Sequence, residues 1–216
     1  MFLFHVNTNS GDLIGTDTFV NNEVELRKGS IYRCAEFGGF GVLDEINMAK
    51  NDAVSVLHAS LDYRRCIDVP GYDKIDLHDA ARFIGTMNYG YAGTKELNEA
   101  LVSRFLVIDM PPQNEETLEY IFRRKFPEIK ENALRQWIGL FMDLQTKAGN
   151  SEITTKSLDL RGMLGALKAV SCGLSPVLAV RMGVVNKCFD VFEKEIVQDV
   201  VMTRIPESWT TGDVFQ

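Results

Sequence analysis

The chain has 216 residues, 45% apolar and 25% charged, with 30 acidic against 23 basic side chains and a formal net charge of −7. That is enough chain to bury a real core, which excludes wholesale disorder, and no stretch reaches the roughly 20 apolar residues of a membrane span. The acidic balance, with basic residues in short runs such as Arg64-Arg65 and Arg123-Arg124, argues against broad binding to a nucleic-acid backbone and leaves only recognition by a few local arginines.

The opening residues, MFLFHVNTNSGD, carry neither the basic segment nor the small-residue cleavage site of a secretion signal, so the chain reads as a soluble cytoplasmic protein. Phe2-Leu3-Phe4 begins a series of short apolar runs, followed by Gly41-Val42-Leu43, by Ala81 to Thr86, and by Phe105-Leu106-Val107-Ile108 ahead of Pro111-Pro112. Runs of this length, bounded by Gly or Pro and separated by helix-length segments, predict buried parallel strands of an α/β sheet. TFVNNEVELRKGS predicts a hairpin turning at Asn21-Asn22, and RRCIDVPGYDKIDL a second turning at Pro70-Gly71. The period then changes. Leu134, Trp137, Ile138, Phe141 and Leu144 recur at helical spacing, predicting a helix from Glu131 to Gly149. Further helices are expected over 115–126, from Asp159 to a stop at Gly173, and from Ser175 as N-cap with Pro176 in the first position. The division is thus an α/β core over residues 1–112 and a small helical domain over 113–216. Cys34, Cys66, Cys172 and Cys188 form no C-x-x-C and have no nearby His, so free, mostly buried thiols are expected. His5, His58 and His78 lack partners at ligand spacing and read as core or surface residues.

The segment richest in chemistry is GGFGVLDEINMA, residues 38–49. A short apolar strand ending in Asp44-Glu45 sets two carboxylates at the C-terminal edge of a parallel sheet, where α/β folds bind ligands. One can help to hold a hydrated Mg²⁺ and its neighbour can orient or deprotonate an attacking water. About 40 residues on, a second strand ends in Gly85-Thr86-Met87-Asn88, which supplies a neutral amide at the neighbouring edge, and ELNEALVSRF places Arg104 after a short helix. Arg161 opens a helix in SLDLRGML. Each residue also has a plainer reading. Asp44-Glu45 can be a solvated strand end, Asn88 a turn former, Arg104 a helix C-cap, and Arg161 a solvated side chain.

In this order the elements resemble an AAA+ ATPase, of the MoxR-like and dynein/midasin-related branch. The resemblance implies an AAA+ core followed by a helical lid, with Asp44 and Glu45 in Walker B, Asn88 as sensor 1, Arg104 as the arginine finger and Arg161 as sensor 2. Asp44 would face Mg²⁺ through water, Glu45 would be the catalytic base, and ATP the substrate. GDLIGTDTF, LRKGSIYRCAEFGG and LDYRRCIDVPG fall where this branch has its helix-2 insert and its pre-sensor hairpin. The resemblance further implies ATP hydrolysis in a homo-oligomeric, hexameric ring that remodels or activates a client protein, with a protein bearing a von Willebrand A-type domain as the client class it suggests.

The family's phosphate-binding loop, G-x-x-x-x-G-K-[ST], does not occur in the sequence. GTMNYGYAGTK, residues 85–95, has the glycines but follows the sensor strand, and Lys95 precedes Glu96 instead of Ser or Thr. Three explanations stand. The chain is the C-terminal part of an ATPase, it is completed by a separate chain bearing the loop, or it is an ATP-independent scaffold or adaptor. On the first two, this chain alone is expected to be inactive.

Overall fold

The computed structural model describes residues 2–3, 8–49, 51–68, 73–88 and 96–216. The chain divides into two compact units, residues 1–109 and 110–216. In the first, β1 (Phe2–Leu3) precedes α1 (Ser10–Ile14). Asn9 caps α1 reciprocally: its side chain accepts from the Asp12 amide, and the Asp12 carboxylate accepts from the Asn9 amide. The expected hairpin follows as β2 (Gly15–Val20) and β3 (Glu23–Lys28). Its two-residue turn needs left-handed backbone at both positions, and Asn21 and Asn22 supply it at φ 52° and 65°.

Next come α2 (Ser30–Phe37), β4 (Gly39–Asp44), a 3₁₀ turn over Ile46–Met48, α3 (Asn51–Ser55) and α4 (His58–Leu61). The second hairpin is β5 (Cys66–Ile67) with β6 (Ile75–Asp76), while its expected turn at Pro70-Gly71 lies outside the described residues. β7 (Ala81–Gly85) and α5 (Glu99–Val102) complete the unit.

The main sheet is parallel, in the order β1-β4-β7, with Gly39 opposite Ala81 and Leu43 opposite Gly85. The pleat sorts the side chains. Leu43 and Ala81 are buried with Ile31 and Ala35 of α2, while Phe40 and Ile84, on the other face, are exposed. Gly41 is required by the Phe83 ring, since a Cβ there would stand 2.7 Å from it.

Residues 105–108 depart from expectation. They form no strand among the described residues, and Leu106, Val107 and Ile108 are exposed, Leu106 at 99%. A strand exists only through a ladder to a neighbour, and apolar character alone does not supply one. The described ladder of β7 runs to β4 alone.

The second unit is helical: α6 (Glu115–Lys125), α7 (Glu131–Gly149), α8 (Leu160–Ser171), α9 (Pro176–Gly183), α10 (Val191–Arg204) and α11 (Thr211–Val214). α7 has the expected bounds, and its Leu134, Trp137, Phe141 and Leu144 are buried with Leu118 and Phe122 of α6 and Val197 and Val201 of α10. Asp159 caps α8 by accepting from the Gly162 amide at 2.9 Å, and Gly173 after its end has φ 101°. α8 and α9 meet at paired glycines. A Cβ on Gly162 would lie 2.1 Å from the Gly183 carbonyl oxygen, and one on Gly183 would lie 2.5 Å from the Gly162 oxygen. The C-terminus is fastened to the start of α7, where the Lys130 amide donates to the Val214 carbonyl at 2.8 Å. The cysteines are free, as expected; Cys66 and Cys188 are buried, Cys34 is partly covered and Cys172 is exposed. Among the described residues no helix is long and apolar enough to cross a membrane.

Candidate functional site

β4 is the middle strand, so its C-terminal end is flanked by β7 and the residues that follow it. Asp44 is the last residue of β4, and half-buried. Thr86, one residue beyond β7, laces the two ends together. Its hydroxyl donates to Asp44 Oδ1 at 2.5 Å and accepts from the Glu45 amide at 3.2 Å. Its own amide donates to the Leu43 carbonyl at 3.0 Å, and its carbonyl accepts from the Ile46 amide at 3.0 Å. Four hydrogen bonds around one threonine thus fix the backbone that presents Glu45.

Glu45 takes a left-handed conformation, φ 56° and ψ 44°, which an L-residue with a Cβ adopts at a cost of about 1–2 kcal/mol. This turns the chain sharply from β4 into the 3₁₀ turn. Glu45 is half-buried there. Asn88 follows two residues after Thr86, and its side chain is exposed. Its carbonyl accepts from Asn47 Nδ2 at 2.9 Å, so the 3₁₀ turn holds the Asn88 backbone from below. Asn47 is 2% exposed, and among the described residues its Oδ1 has no donor. Asp44, Glu45 and Asn88 are therefore brought to one edge by a lattice made of Thr86 and Asn47. Sequence reasoning assigned a role to neither. A threonine ending an apolar strand beside an acidic strand end was the only signal for the first.

Arg104 takes no part in this hydrogen-bond lattice among the described residues. It follows α5, donates from Nη1 to the Ala100 carbonyl at that helix's end, and reaches Asp62 Oδ2 from Nη2 at 3.3 Å and from Nε at 3.4 Å. Asp62, in the turn after α4, also accepts from Arg64: from the backbone amide at 3.0 Å, Nε at 3.0 Å and Nη2 at 2.8 Å. The Arg64 guanidinium first, and Arg104 after it, hold the Asp62 carboxyl well below the usual carboxylate range. The helix-capping reading of Arg104 is thus realised, beside an ion pair to Asp62 that the sequence did not announce. Arg161 is the second residue of α8, exposed, in the helical unit. The stretch 89–95, which holds most of the glycine-rich decoy, lies outside the described residues.

A hydrated Mg²⁺ suits this edge chemically. One Asp44 oxygen is held by Thr86, and among the described residues none donates to the other, which leaves a carboxylate oxygen for a metal-bound water. Among the described residues no three His, Cys, Asp or Glu side chains gather as a metal cage. Mg²⁺ held through one or two carboxylates, water and substrate phosphate needs none.

Residues 1–105 match the AAA domain family, dynein-related subfamily. The chain is 30% identical over 196 residues to the uncharacterised protein YojN of Bacillus subtilis (strain 168), covering 88% of this chain and 64% of that protein. It is 27% identical over 206 residues to an uncharacterised protein of Staphylococcus aureus (strain bovine RF122 / ET3-1), covering 93% of this chain and 76% of the other. A crystal structure of a provisionally assigned ATPase from Cytophaga hutchinsonii aligns with a TM-score of 0.45 at 17% identity, over 94% of this chain and 67% of that one. The parallel sheet and the acidic strand end agree with the match of residues 1–105 to the AAA domain family, and the fold is of the P-loop NTPase-like α/β type, followed here by a helical region.

Proposed function

We propose that the chain is the C-terminal part of a MoxR-like AAA+ ATPase that couples Mg-ATP hydrolysis in a ring, hexameric in this reading, to remodelling or activating a partner protein, one with a von Willebrand A-type domain being the partner class its resemblance suggests. The observation that carries the reading is the laced strand edge, where Thr86 fixes Asp44 and the Glu45 backbone against the strand that leads to Asn88.

In this reading Glu45 accepts a proton from the water that attacks the γ-phosphorus, and the Asn88 amide orients that water. Asp44 holds Mg²⁺ through water, and the ion, when bound, neutralises charge on the phosphate oxygens. Arg104 is offered to a neighbouring subunit's nucleotide, where a planar cation stabilises charge developing in the transition state. Arg161 is assigned to nucleotide sensing from the helical region. The carboxylate of Glu45 is the group whose loss separates binding from turnover. In the ring, E45Q should bind ATP with near-unaltered affinity while kcat falls by about 10²-fold or more. Unchanged turnover in E45Q removes Glu45 from the base role.

A second reading is an ATP-independent scaffold, or a chain that works with a P-loop-bearing partner; G-x-x-x-x-G-K-[ST] does not occur in these 216 residues. Backbone amides and a lysine cradling the β- and γ-phosphates supply much of a P-loop protein's nucleotide affinity. An ATP-independent scaffold, or a chain completed by a P-loop-bearing partner, would do without them. Calorimetric titration of Mg-ATP into the purified chain separates the possibilities. Micromolar binding shows phosphate recognition without that loop, whereas no binding at millimolar nucleotide makes this chain dependent on a loop from elsewhere, or an adaptor.

A further inference from the structure

The Arg104 guanidinium is engaged on two sides. Its Nη1 edge is satisfied by the Ala100 carbonyl and its Nε and Nη2 by one oxygen of Asp62, and its side chain is 24% exposed. Asp62, 42 residues away in sequence, is 14% exposed and would be a poor anchor if it were itself mobile. Arg64 grips it with three hydrogen bonds, two of them a fork onto both carboxylate oxygens. The distances divide the work. Arg64 sits at 2.8–3.0 Å and fixes the carboxylate, while Arg104 sits at 3.3–3.4 Å and is steered by it.

We propose that Asp62, pinned by Arg64, is a positioning residue for Arg104, setting the orientation from which its guanidinium meets a neighbouring subunit's phosphate. This rests on the reading of Arg104 as a cation supplied across a subunit boundary. Charge-assisted pairs to a planar guanidinium fix direction as well as place. A cation acting at a transition state is sensitive to both, since about 1 Å of misplacement costs on the order of 10²-fold in rate.

The first test requires no turnover. In the purified chain, the Arg104 Nε–H, identified by NMR as the resonance missing from R104A, should exchange with solvent at least about tenfold more slowly than that of the exposed Arg161. D62N should bring it to the Arg161 rate. Equal exchange in the unaltered chain and D62N overturns the proposal. The second test is steady-state ATP turnover by the assembled protein. D62N should lower kcat by about 10²-fold with KM for ATP changed less than about twofold, and D62E, which keeps the charge, should recover part of the loss. In an R104A background D62N should cost nothing further, because both variants remove one interaction. An equal fold-loss in both backgrounds places Asp62's effect elsewhere and overturns the proposal. Turnover lost in R104A but kept in D62N overturns it alone. Unaltered turnover in R104A overturns the reading of Arg104 itself, and Asp62's role with it.

Discussion

The paired glycines of α8 and α9 make a sharp test of the packing. Replacing Gly162 by Ala would put a methyl group 2.1 Å from the Gly183 carbonyl oxygen, 2.8 Å from Lys187 Nζ and 2.9 Å from Asp159 Oδ2. The first of these is backbone and cannot rotate away. Reaching even 3.0 Å requires the helices to part by about 1 Å, and the Asp159–Lys187 ion pair beside the helix start would be pushed aside as well. Overpacking of this kind costs about 1–3 kcal/mol, with the upper end expected where the obstacle is backbone. Alanine's better helix propensity returns about 1 kcal/mol, so the net loss should be about 2 kcal/mol. For a unit of roughly a hundred residues that lowers the unfolding midpoint by on the order of 10 °C. Gly165 lies on the same helix with nothing within 4 Å of a Cβ, so G165A feels only the propensity gain and should stabilise by up to about 1 kcal/mol. Both variants are compared by thermal and urea unfolding followed by circular dichroism. G162A matching G165A in stability would refute the close crossing of α8 and α9.

Three further outcomes are expected. T86V removes the hydroxyl that bridges Asp44 and the Glu45 amide, and should lower the first unit's stability by about 1 kcal/mol in urea unfolding; no change would mean that the strand ends are held by backbone alone. Asp62 has a folded-state pKa below its unfolded value, so its contribution is complete above about pH 4 and is lost as pH falls through the folded value. The unfolding midpoint of D62N should therefore fall less than that of the unaltered chain between about pH 5 and pH 2, and parallel curves would contradict the pairing. N22G relaxes a left-handed position, φ 65°, and should stabilise the β2–β3 hairpin by about 0.5 kcal/mol, whereas N22V should destabilise it; urea midpoints that move the same way in both would exclude this turn.

What could be read in the sequence was local. The bounds of α7 follow from apolar spacing between Glu131 and a terminal glycine, and the hairpin turn follows from two adjacent asparagines that tolerate left-handed backbone. The acidic end of β4 stood out because an apolar run stopping at two carboxylates is a short-range pattern. What could not be read depends on partners far along the chain. Thr86 ends an apolar strand, but that its hydroxyl meets Asp44, 42 residues earlier, shows only once β4 and β7 are paired, and Asp62 reveals its hold on Arg104 only when α4 and α5 are folded. α10 was obscured because Val191 and Phe192, at its start, are exposed, which blurs the apolar face carried by Val197 and Val201. The run at 105–108 misled in the opposite sense, its β-forming composition being answered by no described ladder.

The left-handed backbone of Glu45 sets stability against chemistry at a single position. A glycine there would adopt φ 56° without strain and remove the side chain entirely, so E45G should raise the folding stability of the first unit by about 1 kcal/mol. An asparagine would be nearly as comfortable and also lack the acid. At this corner the residues that suit the backbone, glycine and asparagine, lack the carboxylate that the proposed reaction needs, so stability and the proposed chemistry pull in opposite directions.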